Sequence, residues 1–346
     1  MTIEKARVLI VGTGGIGAMS AYALEQGGKA EVTAVLRSNY DVVSKSGFEI
    51  DSIQYGKVSG FKPANMRKTI PNVAEENLPP YDFILVTTKN LLDIPPSVAE
   101  IIAPAVTPSK TAIILSQNGL NIEKPLIARF PQNPIISSVT YLGATQAPPG
   151  HILHDDPDVQ KIGPFAGQNT LDPGVAEEAA KQYIATYDPN SKLELTYDTD
   201  VLKARWRKLI YNASYNSIAS LLFMDTPRMR ASRHIIDDLI RPIMKEVIAA
   251  AEACGVSGFP SDLPEKVIRG DPTDTAFKPS MCQDAEKGAF MEIESIVGEP
   301  LREGEGRGVA MPTLRTVYGL LKGLQLKVKE RNGLWEPRFE EGHPYA

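Results

Sequence analysis

The sequence predicts an α/β Rossmann-type N-terminal domain followed by a mainly helical C-terminal domain. A glycine-rich turn at residues 12–17 joins a short apolar run to a helical stretch. Short β-branched runs then alternate with helical stretches, a pattern typical of βαβ units and a parallel sheet. After about Asp198 the strand-like runs end, and long helical periodicity replaces them. We therefore expect a dinucleotide-binding domain over residues 1–197 and a substrate-binding, catalytic domain over residues 198–346.

The predicted strands are short runs rich in Val and Ile that end at Gly, Pro or polar residues. In chain order they cover residues 7–11, 31–36, 82–87, 111–115, 135–139, 158–162 and 193–196. Between residues 142 and 173, Pro, Gly and Asp separate short apolar pieces, which we expect to extend the sheet as antiparallel strands. The first helix is predicted over residues 16–26, because Gly27 and Gly28 supply a C-cap. Four further helices are predicted over residues 201–223, 234–254, 280–297 and 313–330.

The composition narrows the classes of function. The 37 Lys+Arg and 42 Asp+Glu give a net charge of −5, which argues against a general nucleic-acid surface. Two cysteines are too few for a disulfide framework. His151 and His154 are interpreted as part of a solvated loop, so no metal is expected. No run approaches the roughly 20 apolar residues of a membrane span. These features predict a soluble, cytoplasmic protein.

The glycine-rich turn matches the dinucleotide-binding pattern G-x-G-x-x-G. Its residues are Gly12, Thr13, Gly14, Gly15, Ile16 and Gly17. In this pattern Gly12 permits a tight turn, Gly14 lets the backbone approach a pyrophosphate, and Gly17 lets the helix pack on the strand. The helix N-terminus then presents free N–H groups to the phosphates. A turn that binds nothing is the alternative, but the position between a strand and a helix favours dinucleotide binding.

Polar residues at the ends of predicted strands indicate the cofactor type and further binding residues. The second strand ends at Arg37 without the acidic residue that NAD-binding proteins use for the ribose hydroxyls. This end suits a 2′-phosphate, so NADP is favoured over NAD. Lys89 and Asn118 follow two other strands, at the sheet edge where ligands of open α/β sheets bind. An exposed arginine without a role and an Asn-Gly turn are the alternatives at Arg37 and Asn118.

One predicted helix carries a polar stripe. Lys208, Asn212 and Asn216 are spaced i, i+4, i+8 and share one face of a mostly apolar helix. Either the amides satisfy loop carbonyls and the lysine reaches water, or the three line a polar site. Spacing alone favours neither of these two interpretations. In the segment that starts at Ser280, spacing alone favours a solvated acidic face that includes Glu292.

Together these residues resemble the ketopantoate reductase (2-dehydropantoate 2-reductase) family over most of the chain. The motifs that carry the resemblance are residues 12–17, Leu36-Arg37, Thr88-Lys89, Gln117-Asn118-Gly119, Trp206-Arg207-Lys208 with Asn212 and Asn216, Ser280-Met281 with Gln283-Asp284 and Glu292-Ile293, and residues 308–312. The resemblance implies a Rossmann domain followed by a helical domain, with the site in the cleft between them. It implies NADPH-dependent reduction of a 2-keto acid, most specifically ketopantoate to pantoate in pantothenate biosynthesis.

The resemblance also implies roles for individual residues. Lys208 would be the general acid and Glu292 would assist it. Asn118, Asn212, Asn216 and Ser280 would position the substrate, and Lys89 would lie near cofactor and substrate. An unbroken helix would separate Ser280 from Glu292 by about 18 Å. We therefore expect either a break between Asp284 and Ala289, at Gly288, or a loop at Ser280 that folds back toward Glu292, and we expect Glu294 to face solvent.

The sequence is also compatible with two functions other than the reduction of a 2-keto acid. One is a related hydroxyacid or polyol-phosphate dehydrogenase that runs in the oxidative direction, in which the lysine would act as a base. The other is a non-catalytic, NADPH-sensing regulator, against which the intact set of polar residues argues. A small 2-keto acid is the expected partner, with a homodimer as a candidate assembly and no nucleic acid or membrane.

Overall fold

The fold was analysed in a computed structural model that describes residues 5–165, 167, 171–339, 342, 344 and 345. Its chain divides into two units: unit 1 is Met1–Asn90 with Ile94–Arg205, and unit 2 is Leu91–Asp93 with Trp206–Ala346. Unit 1 is built on a largely parallel sheet and unit 2 is helical, so the predicted fold class is confirmed. The boundary between the units falls within the helix Val201–Tyr211. The domain division at residue 198 stays a prediction.

Unit 1 contains two sheets. The strands are β1 (Ala6–Val11), β2 (Ala30–Val35), β3 (Phe48–Ser52), β4 (Gly56–Phe61), β5 (Asn65–Arg67), β6 (Phe83–Val86), β7 (Ala112–Leu115), β8 (Ile135–Thr140), β9 (Gly143–Gln146), β10 (His151–Asp156), β11 (Val159–Pro164) and β12 (Glu194–Tyr197). The main sheet has eight strands in the order β12-β11-β8-β7-β6-β1-β2-β5, and the second has the order β4-β3-β10-β9. All seven predicted strands are present. Among the described strand pairs of the main sheet, β8–β11 is antiparallel and the others are parallel.

The helices of unit 1 are α1 (Gly15–Gln26), α2 (Tyr40–Ser46), α3 (Val98–Ile102), α4 (Lys124–Arg129) and α5 (Pro173–Tyr187). Alternate residues of the main sheet face two separate cores, as the two-residue period of a strand requires. Val8 and Ile10 of β1 pack with α1 and α5. Leu9 and Val11 pack with α3 and α4. Strands buried on both faces explain the continuous Val- and Ile-rich runs in the sequence.

The second sheet corrects the interpretation of residues 151–156 as a solvated loop. These residues form β10, which pairs in parallel with β3 and antiparallel with β9. His154 is fully buried, and its Nδ1 lies 2.7 Å from Ser52 Oγ. Strand β10 alternates between exposed and buried residues, so one face of a polar sequence is covered. Of the described strands in this region, β11 extends the main sheet in the predicted antiparallel sense, whereas β9 and β10 belong to the second sheet.

The helices of unit 2 are α6 (Val201–Tyr211), α7 (Ser217–Leu222), α8 (Thr226–Ala231), α9 (Arg241–Ala253), α10 (Leu263–Ile268), α11 (Ser280–Glu286), α12 (Glu299–Glu305) and α13 (Pro312–Arg331), with α6 beginning in unit 1. Three π-helical segments, Asn212–Asn216, Ile235–Ile240 and Glu294–Gly298, lie between consecutive elements. Among the described residues, no helix has the length and apolar character needed to cross a membrane.

Candidate active site

The glycine turn has the geometry that the pattern requires. Gly12 adopts a φ of +101°, and a Cβ there would lie 2.7 Å from the backbone nitrogen of Thr88. A Cβ at Gly17 would overlap the carbonyl oxygen of Gly12, so α1 packs directly on the end of β1. A Cβ at Gly14 would meet no atom within 4 Å, which leaves open space beside the backbone at the start of α1. This open position at a helix N-terminus fits a pyrophosphate.

Two buried side chains hold the turn in place. Thr13 donates its hydroxyl proton to the carbonyl of Val35 at 3.1 Å, and Asn39 donates from Nδ2 to the carbonyl of Thr13 at 2.8 Å. Both side chains are at most 5% exposed. The turn after β1 is thereby tied to the end of β2. Asn39 was missed by sequence reasoning; its position just after a strand tip was the available signal.

Arg37 lies two residues beyond the end of β2 and is exposed. It makes no ion pair with any residue in the described part of the chain. The guanidinium is therefore available to an anion at this sheet edge. Such a group can bind a phosphate through two parallel hydrogen bonds.

The loops after β6 and β7 lie at the same carboxyl edge of the parallel strands. Lys89 is exposed and Asn118 is half-buried. Between these loops, Gln117 donates from Nε2 to the carbonyl of Thr88 at 2.6 Å. Its Oε1 is buried and has no hydrogen-bond partner in the described structure. A buried amide oxygen without a donor is costly, so this edge can take a ligand that supplies an N–H or O–H group.

Arg205 fixes the loop that carries Asn118. Its guanidinium donates to the carbonyls of Gln117 at 2.9 Å and Gly119 at 3.2 Å, and is paired with the buried carboxylate of Glu123. Sequence reasoning missed this residue, because an arginine close to Arg207 and Lys208 gives no sign of being buried.

In unit 2, the predicted polar stripe is interrupted by a change of helix type. Lys208 is half-buried near the end of α6, whereas Asn212 and Asn216 are 6% and 3% exposed and bound a π-helical segment. Asn216 Oδ1 is buried and has no partner among the described residues. Single π-turns inside α-helices are frequent at functional sites. The unpartnered amide oxygen favours the interpretation of this stripe as a polar site.

Serine side chains line the same stretch of helix. Ser214, Ser217 and Ser220 each donate to the carbonyl four residues earlier, at 2.6, 2.6 and 2.7 Å. Such bonds satisfy buried hydroxyls and bend helices. The segment Asn212–Asn216 packs against α11 and against the π-helical segment Glu294–Gly298. The elements that carry Asn212, Asn216 and Ser280 are therefore in contact.

The predicted break before Glu292 is confirmed. Helix α11 begins at Ser280 and ends at Glu286, and Gly288 follows with a φ of +62°. Ser280 is exposed and Glu292 is half-buried between the buried residues Met291 and Ile293.

The chain next to Glu292 is fixed by a second helix. Gln325 of α13 accepts from the Met291 backbone nitrogen at 3.1 Å and donates to its carbonyl at 3.1 Å. Gln325 is only 1% exposed and was missed by sequence reasoning. A buried amide that bonds both the backbone N–H and the carbonyl of one residue fixes the backbone beside Glu292.

The expectation that Glu294 faces solvent is wrong. Its carboxylate is buried and accepts from Lys322 Nζ at 2.7 Å, Tyr318 Oη at 2.8 Å and Arg302 at 2.9 Å. Burial raises the pKa of Glu294, but these three hydrogen bonds outweigh it and hold the pKa below its usual value. The physical reason for the error is the π-helical turn that begins at Glu294. It rotates this side chain away from the direction that α-helical spacing predicts.

Comparisons with known proteins agree with the fold and the motifs. Residues 8–167 match the family "Ketopantoate reductase PanE/ApbA", and residues 200–325 match "Ketopantoate reductase PanE/ApbA C terminal". The uncharacterized protein YDL144C of Saccharomyces cerevisiae is 35% identical over 97% of this chain and 98% of its own length.

Solved structures give the same result. The crystal structure of 2-dehydropantoate 2-reductase from Methylococcus capsulatus has a TM-score of 0.75 at 30% identity, over 93% of this chain and 97% of that one. The ternary structure of D-mandelate dehydrogenase with NADH and anilino(oxo)acetate has a TM-score of 0.75 at 20% identity, over 93% and 99% of the two chains, which is a likeness of fold. The chain therefore belongs to the ketopantoate reductase family, whose members are oxidoreductases that act on a CH–OH group with a nicotinamide cofactor.

Proposed function

We propose that this chain reduces a 2-keto acid to a 2-hydroxy acid with NADPH, and that its substrate is ketopantoate (2-dehydropantoate), which yields pantoate. The observation that carries the proposal is the buried amide pair Asn212 and Asn216, one turn and two turns beyond Lys208, with an unpartnered oxygen on Asn216. A cation followed by buried amides suits a small, polar, anionic substrate. The 30% identity to a 2-dehydropantoate 2-reductase supports the choice of substrate.

The residues of unit 1 are assigned to the cofactor. Gly12, Thr13, Gly14, Gly15, Ile16 and Gly17 would hold the pyrophosphate, Arg37 the 2′-phosphate, and Lys89 and Asn118 the part nearer the substrate. NADPH supplies the hydride when bound. The exposed guanidinium of Arg37, where an NAD-binding strand would present a carboxylate, supports NADPH over NADH.

The residues of unit 2 are assigned to the substrate and its proton. Negative charge develops on the keto oxygen as the hydride arrives, and a nearby ammonium stabilises that charge and supplies the proton. Lys208 is assigned this role. Gln325 fixes the backbone of Met291, the residue before Glu292, through two hydrogen bonds. Glu292 would keep the lysine oriented and charged. Asn212, Asn216 and Ser280 would bind the substrate carboxylate and hydroxyl without adding charge.

The direct test follows NADPH oxidation across a panel of 2-keto acids that contains ketopantoate and both linear and branched analogues. Ketopantoate should give the highest kcat/KM. Hydroxy acids with NADP⁺ should turn over more slowly near neutral pH. Tight NADPH binding without turnover of any keto acid would instead support a regulator that senses NADPH.

A second substrate class belongs in the same panel, because D-mandelate dehydrogenase has this fold. The matching test substrate is the 2-keto acid formed by oxidation of mandelate. If that aromatic acid is preferred to ketopantoate, the reaction type stands and the substrate assignment is wrong.

A homodimer is proposed as the working assembly. An apolar groove of about 430 Å³ on unit 2 is lined by residues that include Leu222 and Leu320, which are 42% and 57% exposed. Exposed apolar patches of this kind mark interaction surfaces. Light scattering should give twice the chain mass for the wild type and the chain mass for Leu320→Glu. A monomeric wild type would contradict the proposal.

A further inference from the structure

The carboxyl end of β2 has a second cation, Lys68, which follows the neighbouring strand β5. Strand β5 pairs in parallel with β2, with Val35 opposite Arg67, and the Leu36 backbone nitrogen donates to the Arg67 carbonyl at 2.8 Å. Neighbouring strands lie about 4.8 Å apart. By this register Lys68 lies opposite Leu36, one residue before Arg37, at the same carboxyl edge of the sheet.

Lys68 is committed to a carboxylate on the same edge. Its Nζ lies 2.9 Å from Asp41 Oδ1 and 4.7 Å from the centre of the Tyr40 ring. Asp41 is the first carboxylate after the β2 tip in the sequence, and its side chain is 87% exposed. The hydrogen bond to Asp41 raises the pKa of Lys68, which keeps the ammonium charged. The neighbouring Arg67 is paired with Glu76 at 2.5 Å.

The position of Asp41 bears on cofactor choice. A carboxylate near the end of this strand favours NAD(H), because it accepts hydrogen bonds from the ribose hydroxyls and repels a 2′-phosphate. Without a cation, Asp41 would oppose the effect of Arg37. With Lys68 bound to it, the negative charge of the carboxylate is balanced and its Oδ1 atom is occupied.

We propose that Lys68 is a cofactor-specificity residue that neutralises Asp41 beside Arg37, so that the tip of β2 accepts the 2′-phosphate of NADPH. The inference rests on the proposed use of NADPH and adds to it a determinant on another strand. The phosphate is bound by Arg37, and Lys68 acts through Asp41.

The test is a double-mutant cycle read out by binding. Dissociation constants of NADPH and NADH are measured by fluorescence titration for the full-length wild type, Lys68→Met, Asp41→Asn and the double variant. Lys57→Met, an exposed lysine on β4 of the second sheet, is the matched control. Thermal melts verify that each variant is folded.

Lys68→Met should weaken NADPH about three- to tenfold, the effect of one exposed charge at short range in water. NADH affinity should change by less than about twofold, since it has no 2′-phosphate. In the Asp41→Asn background, the same Lys68→Met change should have less than about a twofold effect on NADPH. The control should leave both affinities unchanged.

Three results would overturn the inference. An unchanged ratio of the two dissociation constants in Lys68→Met would show that Lys68 does not determine specificity. Equal effects in both backgrounds would show that it does not act through Asp41. A wild type that binds NADH as tightly as NADPH would remove the proposed cofactor as well. If the first of these results is found while the preference for NADPH still falls in Arg37→Ala, the proposed use of NADPH stands and this inference alone is wrong.

Discussion

Arg205 and Glu123 form a fully buried ion pair in unit 1: Arg205 Nε lies 2.5 Å from Glu123 Oε1, and the side chains are 3% and 0% exposed. Glu123 also accepts from Ser137, while Arg205 donates to the carbonyls of Gln117 and Gly119. The pair thus joins α4, β8 and the loop after β7. Its guanidinium satisfies carbonyls that would otherwise be buried without donors.

Breaking this pair should be strongly destabilising. Arg205→Met leaves the Glu123 carboxylate uncompensated, so the free energy of unfolding should fall by about 3–5 kcal/mol. Urea unfolding measures the change. The double variant Arg205→Met/Glu123→Leu should recover part of the loss, because it removes the unpaired charge. Arg129→Met, on the exposed surface of α4, is the control. If Arg205→Met costs no more than this control, the pair has no structural role.

Replacement by glutamine should lower turnover at Glu292 and stability at Glu294. Glu292→Gln should lower kcat about tenfold or more while thermal stability is retained, because a carboxylate that orients the acid acts on a step worth 10²–10⁴-fold. Glu294→Gln should lower unfolding free energy by about 1–3 kcal/mol, because it weakens three charge-assisted or hydroxyl hydrogen bonds.

Steady-state kinetics and thermal melts on both variants measure the contrast. If Glu292→Gln unfolds easily and keeps its kcat, the carboxylate is structural. If Glu294→Gln loses turnover without losing stability, the assignments of the two residues must be exchanged.

Arg37→Asp should narrow or reverse the preference for NADPH. The change removes the cation assigned to the 2′-phosphate and adds repulsion, while an aspartate can accept the ribose hydroxyls of NADH. The ratio of kcat/KM with NADPH to that with NADH measures the preference. A wild type that uses both cofactors equally well would make the interpretation of Arg37 wrong.

Because of His154, the free energy of unfolding should decrease as the pH falls below about 6.5. Burial lowers the pKa of this imidazole below 6.5, more than nearby carboxylates and the Asp156 carbonyl raise it. The unfolded chain therefore binds a proton near pH 6.5 and the folded chain does so only at lower pH. The contribution of neutral His154 to the free energy of unfolding is complete above pH 6.5. It is lost as the pH falls, by at most about 1.4 kcal/mol per pH unit.

The comparison that isolates this effect is with His154→Gln. Burial raises the pKa of Asp158, which stabilises the protonated carboxyl and acts in the opposite direction on acidification. Between pH 7 and pH 5, the wild type should lose unfolding free energy relative to His154→Gln. Parallel curves for the two proteins would mean that His154 has the same pKa in the folded and unfolded chain, which would contradict the effect of burial.

The main sheet could be predicted because its strands are buried on both faces and read as continuous β-branched runs. Strands β3, β4 and β5 escaped prediction, since polar residues interrupt their sequences. Strands β9 and β10 lie where strands were expected to extend the main sheet, but they form the second sheet instead, and His154 resembles a loop histidine. The π-helical turns have no distinct sequence period. That is why the exposure of Glu294 was predicted wrongly while the break at Gly288, a weak helix former, was predicted correctly.

Contacts between side chains that are distant in sequence could not be predicted either. Arg205 stands in a run of cations that resembles a solvated surface, and only the fold brings Glu123 to it. The same holds for Lys68 and Asp41, which meet because β5 pairs with β2. The glycine turn was predictable because its requirements are local.

The central claim is that Lys208 supplies the proton when a 2-keto acid is reduced with NADPH. The most direct measurement is single-turnover NADPH oxidation with ketopantoate in the wild type, Lys208→Ala and Lys203→Ala. Lys203 lies on the same helix and is also half-buried. Lys208→Ala should slow the step about 10²–10⁴-fold with NADPH affinity retained, and Lys203→Ala should match the wild type. A Lys208→Ala rate near that of the wild type would contradict the account.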